Sequence, residues 1–274
     1  MSLPPRTTQS ITGKTRLMFI MGDPIDHVVG TAVLNAAWSR LGRDMVTVPL
    51  HVRPDDLGRM LDMLRASDNV AGTGITIPHK IAGRAMMDHL TEAAMLAGAV
   101  NFVRRNADGT LTGHNVDGTG FLAGLAARGI VLDGRRVALS GAGGVARSIA
   151  FAVAGSGARS LTLRNRDMSK AEALARDIAA WTGANGCGVT ARQDIGQPEI
   201  LINATSLGMT ETDPLPFTEA EMAQAICLAE VVMTPAETPV MKLAAGRGIA
   251  TVGGRAMMDP QADLVARFLD GDPA

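Results

Sequence analysis

The chain has 274 residues, enough for one large domain or two of ordinary size. With 26 Lys and Arg against 27 Asp and Glu the net charge is −1, so bulk charge draws it neither to nucleic acid nor to an anionic membrane. Hydrophobic residues make up 46% and charged residues 19%, a globular mix in which no apolar run is long enough to span a bilayer.

The first stretch, MSLPPRTTQSITGK, has no apolar signal-peptide core and is expected to be a loose polar tail. TRLMFIMG and DMVTVPLHV then read as strands. RPDDLGRMLDMLRA places Leu57, Met60, Leu61 and Leu64 at helical spacing. GITIP reads as a third strand and AGRAMMDHLTEAAMLAGAV as a helix. NFVRRNADGTLTGHN reads as a hairpin with Asp108-Gly109 in the turn. The pattern breaks near residues 115–130 and restarts after GTGFLAGLAARG. RRVALSG, SLTLRN and EILINA are strands there, and VARSIAFAVAGSG and SKAEALARDIAAWTG are helices. Such alternation argues a parallel sheet covered by helices, and it occurs twice. The fold class is α/β in two domains, the later one a doubly wound, Rossmann-type parallel sheet. Cys187 and Cys227 form neither a metal pattern nor a disulfide framework, which points to a reduced, cytoplasmic protein with no metal. Sixteen methionines read as core filling.

RRVALSGAGGVARSIAFAVA carries the clearest chemistry. Gly141, Gly143 and Ala146 fill a G-x-G-x-x-A pattern between a strand and a helix. The first glycine allows a tight turn, the second lets backbone approach a pyrophosphate, and the small third residue packs helix on strand. Ala142, Gly144 and Val145 complete the loop, whose helix offers free N–H groups to phosphate. The next strand ends in LRNRDMSK, about where the adenosine ribose is read. Arg166 and Lys170 suit a 2′-phosphate and Asp167 a bare ribose. With Asn165 the cations outnumber the acid, which favours NADP and leaves NAD as the alternative.

Two further motifs stand out. GITIPHK sets a threonine inside a strand and a lysine just past a proline; GHNVDG sets an asparagine and an aspartate between glycines at the break. Alone, GHNVDG reads as a turn. In order along the chain, GITIPHK, LAGAVN, GHNVDG, GAGGVAR, NRD and INATSLGM resemble the shikimate/quinate dehydrogenase family. The similarity runs from Met21-Gly22-Asp23-Pro24-Ile25 to Gln261.

The resemblance implies two domains with a cleft between them. Residues 1–116 and 252–274 would form the substrate-binding domain and 117–251 the dinucleotide-binding domain. It implies hydride transfer between a cyclic polyol and a nicotinamide, a place in aromatic amino acid biosynthesis, and Lys80 and Asp117 as the proton-transfer pair. Oxidising a secondary alcohol needs a group that takes the hydroxyl proton. A lysine in bulk water holds its proton too tightly for that near neutral pH. Burial weakens the hold and a neighbouring carboxylate strengthens it, so such a pair titrates as a unit. Pro78 would end the strand and Lys80 would project to the reacting oxygen. Thr76, Asn101 and Gln261 match family positions that contact ring hydroxyls. Ala204, Thr205, Val231 and Gly254 fall where the family contacts its cofactor. The partner implied is a small polyol, with no nucleic acid and no membrane, bound by a monomer or homodimer.

The chain departs from the family where a substrate carboxylate is held. In GDPIDHVVGT, Val28 and Gly30 stand at the two serine positions; Met233 in VMTPAETP stands at a tyrosine position. Gly74 replaces an asparagine, and Val116 a threonine. A carboxylate left without donors costs several kcal/mol, roughly. Thr31 or His27 would compensate in part. The expectation is an intact reacting end beside a remodelled carboxylate end, so the substrate is either shikimate or quinate held by other donors, or an alcohol lacking the carboxylate. A nucleotide-binding sensor without turnover is a further reading.

Overall fold

The computed structural model describes residues 10–26, 28–183 and 186–272; the start of the polar tail, and His27, lie outside the described residues. Two compact units divide the chain. Described residues up to Asn115, with those from Ala262, form the first; Val116–Gln261 forms the second.

The first unit runs β1 (Arg16–Gly22), α1 (Gly30–Arg40), β2 (Met45–His51), α2 (Leu57–Ala66), β3 (Val70–Ile75), α3 (Lys80–Ala85), β4 (His89–Leu90), α4 (Glu92–Ala97), β5 (Phe102–Arg105) and β6 (Leu111–His114). Its sheet has the order β2-β1-β3-β5-β6-β4. β1 pairs parallel with β2 and β3, but β5 runs antiparallel to both β3 and β6. This sheet is therefore mixed, where alternation alone led us to expect a parallel one. The cause is the hairpin: Asp108-Gly109 turns the chain back on itself, and such a short connection cannot give a parallel pair. All six residues of β3 are buried, as a central strand covered on both faces requires. Leu57, Leu61 and Leu64 seat α2 against Met21, Val70, Ile75, Val100 and Val103.

Three expectations are corrected here. α1 was not foreseen; it buries Leu34, Ala37 and Trp38, and the Trp38 indole donates to the Thr47 hydroxyl at 2.7 Å. The helix expected over 82–100 is interrupted, because His89–Leu90 pairs with Thr112–Gly113 of β6 and the Asp88 carboxylate accepts from the Leu111 amide at 2.8 Å. Tertiary pairing overrides helix propensity there. β3 ends at Ile75 rather than at Pro78, since Thr76–His79 closes a turn, the His79 amide donating to the Thr76 carbonyl at 2.9 Å.

The second unit runs α5 (Asp117–Ala126), β7 (Arg136–Ser140), α6 (Gly144–Ala154), β8 (Ser160–Arg164), α7 (Met168–Thr182), β9 (Gly188–Ala191), β10 (Ile200–Asn203), β11 (Cys227–Glu230), α8 (Pro239–Gly246) and β12 (Ala250–Val252). The final helix, α9 (Gln261–Leu269), returns the chain to the first unit, where the Arg104 guanidinium donates to the Phe268 carbonyl at 2.8 Å. Every pairing in the second sheet is parallel, in the order β12-β11-β10-β7-β8-β9. The winding reverses between β7 and β10, and in such sheets ligands bind outside the strands' carboxyl ends at that point. Residues 252–261 belong to this unit, not to the first. A Cβ on Gly124 of α5 would lie 2.4 Å from the Ala256 carbonyl oxygen, so the turn Gly254–Met257 is pressed onto α5.

Candidate active site

Gly141 follows β7 with φ +124°, a backbone state that side chains avoid. A Cβ there would sit 2.5 Å from the Ala204 carbonyl oxygen. Its amide donates to the Arg164 carbonyl at 2.7 Å, and the Ala204 amide donates to the Ser140 carbonyl at 2.8 Å. The ends of β7, β8 and β10 thus meet at one glycine. Past Ala142, Gly143 precedes α6 with no side-chain cap, and a Cβ on Gly143 or Gly144 would meet nothing within 4 Å. Open space before uncapped N–H groups, from Gly144 and Val145 onward, suits a pyrophosphate.

At the tip of β8, Asp167 caps α7. Its carboxylate accepts from the Ser169 amide at 3.1 Å and hydroxyl at 2.6 Å. The Ser169 bonds, with Lys170 and Arg166 nearby, hold this carboxyl below the usual carboxylate range. The Asn165 amide group donates to the Asp167 carbonyl at 2.9 Å. Arg166 and Lys170 are exposed and form no ion pair among the described residues. The acid is engaged and the cations are available, which suits a 2′-phosphate.

The ends of β10 and β11 are joined by a network that sequence reasoning missed. Glu230 is 1% exposed. Its carboxylate accepts from the Asn203 amide group at 2.8 and 3.0 Å, the Thr238 hydroxyl at 3.0 Å, and the amides of Val231 and Val232 at 3.0 and 3.2 Å. The Asn203 side-chain oxygen, Oδ1, accepts from the Thr205 amide and hydroxyl at 3.2 and 2.6 Å. Burial pushes the Glu230 carboxyl up, and bonds from Asn203, Val232, Thr238 and Val231 pull it back. Ala204, Thr205 and Val231 therefore stand on a fully bonded buried carboxylate. Gly254 is pressed to the same strand end, its Cβ direction 2.4 Å from the Val232 carbonyl oxygen. The signal available in the sequence was a glutamate ending an apolar strand.

In the first unit, Lys80 is the first residue of α3 and is half-buried. The Val100 amide donates to the Lys80 carbonyl at 3.0 Å, and the Ile75 amide donates to the Asn101 carbonyl at 2.8 Å. The Thr76 amide donates to the Met21 carbonyl at 2.9 Å. Thr76, Lys80 and Asn101 are thus tied through adjacent backbone. Beneath the turn, buried His79 bonds the Val52 carbonyl through Nε2 at 2.7 Å, an anchor the sequence did not reveal.

The other expected donors are placed differently. Val29, at the N-cap of α1, offers no side-chain bond; Gly30 opens the helix and Thr31, half-buried, is its second residue. A Cβ on Gly30 would lie 3.1 Å from Ile20 Cδ1. Hydrocarbon borders this position. Asn115 ends the first unit and donates to the Ala99 carbonyl at 3.2 Å. Asp117, 6% exposed, opens α5 in the second unit. Gln261, at the start of α9 and also buried, packs against Gly120 of α5. Among the described residues no group of three or more His, Cys, Asp or Glu side chains could hold a metal ion. No described helix is long and apolar enough to cross a membrane.

Strand order and the Gly141 turn define a protein with a dinucleotide-binding sheet, joined to a second α/β unit that carries its own polar cluster. Residues 20–103 match the shikimate dehydrogenase substrate binding domain. A shikimate dehydrogenase (NADP(+)) of Rhodospirillum rubrum is 39% identical over 254 residues, 90% of this chain and 89% of that one. Shikimate 5-dehydrogenase from Listeria monocytogenes, solved with shikimate and NAD, superposes with a TM-score of 0.85 at 28% identity, covering 97% of both chains. The ligand-free 5-ketofructose reductase of Gluconobacter sp. strain CHM43 superposes with a TM-score of 0.84 at 31% identity, covering 94% of this chain and 93% of that one. The chain belongs to the shikimate dehydrogenase family.

Proposed function

We propose that the protein oxidises a secondary alcohol of a small cyclic polyol to a ketone, and runs the reverse reduction, with Lys80 and Asp117 as its proton-transfer pair. It is an NAD(P)-dependent dehydrogenase. A nicotinamide held by the Gly141–Val145 loop would supply the acceptor for the hydride of the carbinol carbon. Lys80, as the amine, takes the hydroxyl proton as the C–O double bond forms, and Asp117 shares that proton and orients the ammonium. Thr76 and Asn101 fix the hydroxyls on either side. Gln261 binds a further hydroxyl. The second unit, 116–261, holds the dinucleotide through the Gly141–Val145 loop. Arg166 and Lys170 take the 2′-phosphate, so NADP is used in preference to NAD. The protein works in the cytoplasm as a monomer or homodimer.

The observation that carries this reading is the placing of Lys80, held by Val100 at the head of α3 beside Asn101. A nucleotide sensor needs no such base. In Lys80→Ala, kcat should fall by about 10²–10⁴-fold while NADPH binding, followed by its fluorescence, stays at the wild-type Kd. Turnover within about threefold of wild type would remove Lys80 from the reaction.

A second observation bears on the substrate. Val28, Gly30 and Met233 stand where the family's carboxylate donors are expected, Gly74 stands at a family asparagine, and hydrocarbon borders Gly30 and Gly74. A structural neighbour at 31% identity is named for a substrate without a carboxylate, 5-ketofructose. The preferred substrate is a neutral polyol or its ketone rather than shikimate or quinate.

A further inference from the structure

Gly74 of β3 lies in register with Ile20 of β1 on one side and Phe102 of β5 on the other. A Cβ on Gly74 would sit 3.2 Å from Phe102 Cε1 and 3.3 Å from Ile20 Cγ1. Any side chain at position 74 must therefore displace both hydrocarbon groups. Ile20 also reaches Gly30 at the start of α1, with its Cδ1 3.1 Å from that Cβ direction. Two positions where the family holds a polar group thus border the same isoleucine. The next row outward on this face holds Gly22 and Thr76; a Cβ on Gly22 would lie 2.5 Å from Thr76 Cγ2. Inward, Phe102 pairs with His114, which Phe268 covers by stacking at 4.7 Å. Phe102 is left half-buried, directly after Asn101.

We propose that Phe102, admitted by the absence of a side chain at Gly74, is a specificity-determining residue of the substrate site. With Ile20 it forms an apolar floor for the C–H face of a neutral polyol or ketose and turns away a carboxylate. The inference rests on the reading that Thr76, Lys80 and Asn101 hold the reacting end. A carboxylate set against this floor loses hydration and gains no donor. The C–H groups of a sugar-like ring lose little and gain contact with an aromatic face. Catalysis stays with Lys80; the ring sets which molecule is presented to it.

The test is the ratio of kcat/KM for 5-ketofructose to kcat/KM for shikimate, each measured with the matching form of NADP. Phe102→Thr, which keeps a strand-forming residue, should lower this ratio about tenfold or more, mainly through KM for 5-ketofructose, with the Kd for NADPH unchanged. Phe102→Leu keeps hydrocarbon and should lower it about threefold. It also covers the case in which the threonine variant fails to fold. A ratio within twofold of wild type in every folded variant overturns the inference. Wild-type protein that turns over neither compound counts against the reading of the reacting end. The inference is then decided by calorimetric titration of both compounds into wild type and variants. The same shift in the ratio of Kd values supports it; an unchanged ratio, or binding of neither compound, overturns it.

Discussion

On the proposed reading the two units recognise ligands by different means. In the second, the groups set for phosphate are backbone: the turn at Gly141, the open space before Gly143 and Gly144, and the uncapped start of α6. In the first, the proposed reading gives recognition to side chains on a rigid frame: Thr76, Lys80 and Asn101 at one end, Ile20 and Phe102 beside Gly30 and Gly74 at the other. A backbone site tolerates little change, because its geometry is the site. A side-chain site can exchange donors for hydrocarbon while the frame stands. The proposal thus has this chain keep the family's cofactor and proton-transfer pair while changing the molecule on which they act.

The sharpest way to break this contrast is at Gly141. Gly141→Val puts a β-branched side chain at φ +124° and 2.5 Å from a carbonyl oxygen. Strain alone should cost about 1–3 kcal/mol. NADPH affinity, read by fluorescence titration, should fall by about 100-fold or more as the loop moves. Affinity near wild type would mean that the backbone turn does not set the phosphate site.

A smaller effect tests how dry the first sheet is around His114. Buried His114, in the same row as Phe102, bonds the Thr91 hydroxyl through Nδ1 at 2.8 Å. Burial first, and the Arg104 charge second, push its pKa down to about 4 from 6.5. Between those values the unfolded chain binds a proton that the folded unit excludes. Stability from this group is therefore complete above about pH 6.5 and is lost as pH falls toward 4, by up to about 3 kcal/mol. Urea midpoints at pH 7 and pH 5 should fall together less in His114→Asn than in wild type. Equal slopes would mean that water reaches His114.

The smallest effect concerns the ribose end, where side chains do take part in the second unit. Arg166→Ala with Lys170→Ala should cut the NADP-over-NAD preference in kcat/KM by about tenfold. An unchanged preference would move the 2′-phosphate contact elsewhere.

The second unit was the more legible of the two in sequence. Ile200–Asn203 and most of Arg136–Ser140 are buried and read as apolar runs, and the glycine pattern lies where strand passes to helix. Among what went unread there, β9, β11 and β12 have four, four and three residues, too few to show a period, and the helices α5 and α8 were also passed over. In the first unit α1 was missed because it opens on Gly30 without a capping side chain and buries only Leu34, Ala37 and Trp38. β4 was read as helix because its two residues are strand only by pairing with β6. The candidate site residues could be named from sequence because motifs mark them. His79, Asn203, Glu230 and Thr238 could not, since their role is to hold other residues and depends on partners distant in sequence. Phe102 was passed over because its meaning comes from Gly74 across the sheet.

The most direct measurement is the initial rate of NADP reduction by wild-type protein with shikimate, quinate and a panel of cyclic polyols lacking a carboxylate, with NADPH oxidation by 5-ketofructose as the reverse reaction. The account predicts that a neutral substrate exceeds shikimate and quinate in kcat/KM by about 100-fold or more, the ratio expected when a carboxylate meets hydrocarbon instead of donors. Efficient turnover of shikimate at micromolar concentration would contradict it, and would mean that groups other than those at positions 28, 30 and 233 hold the carboxylate.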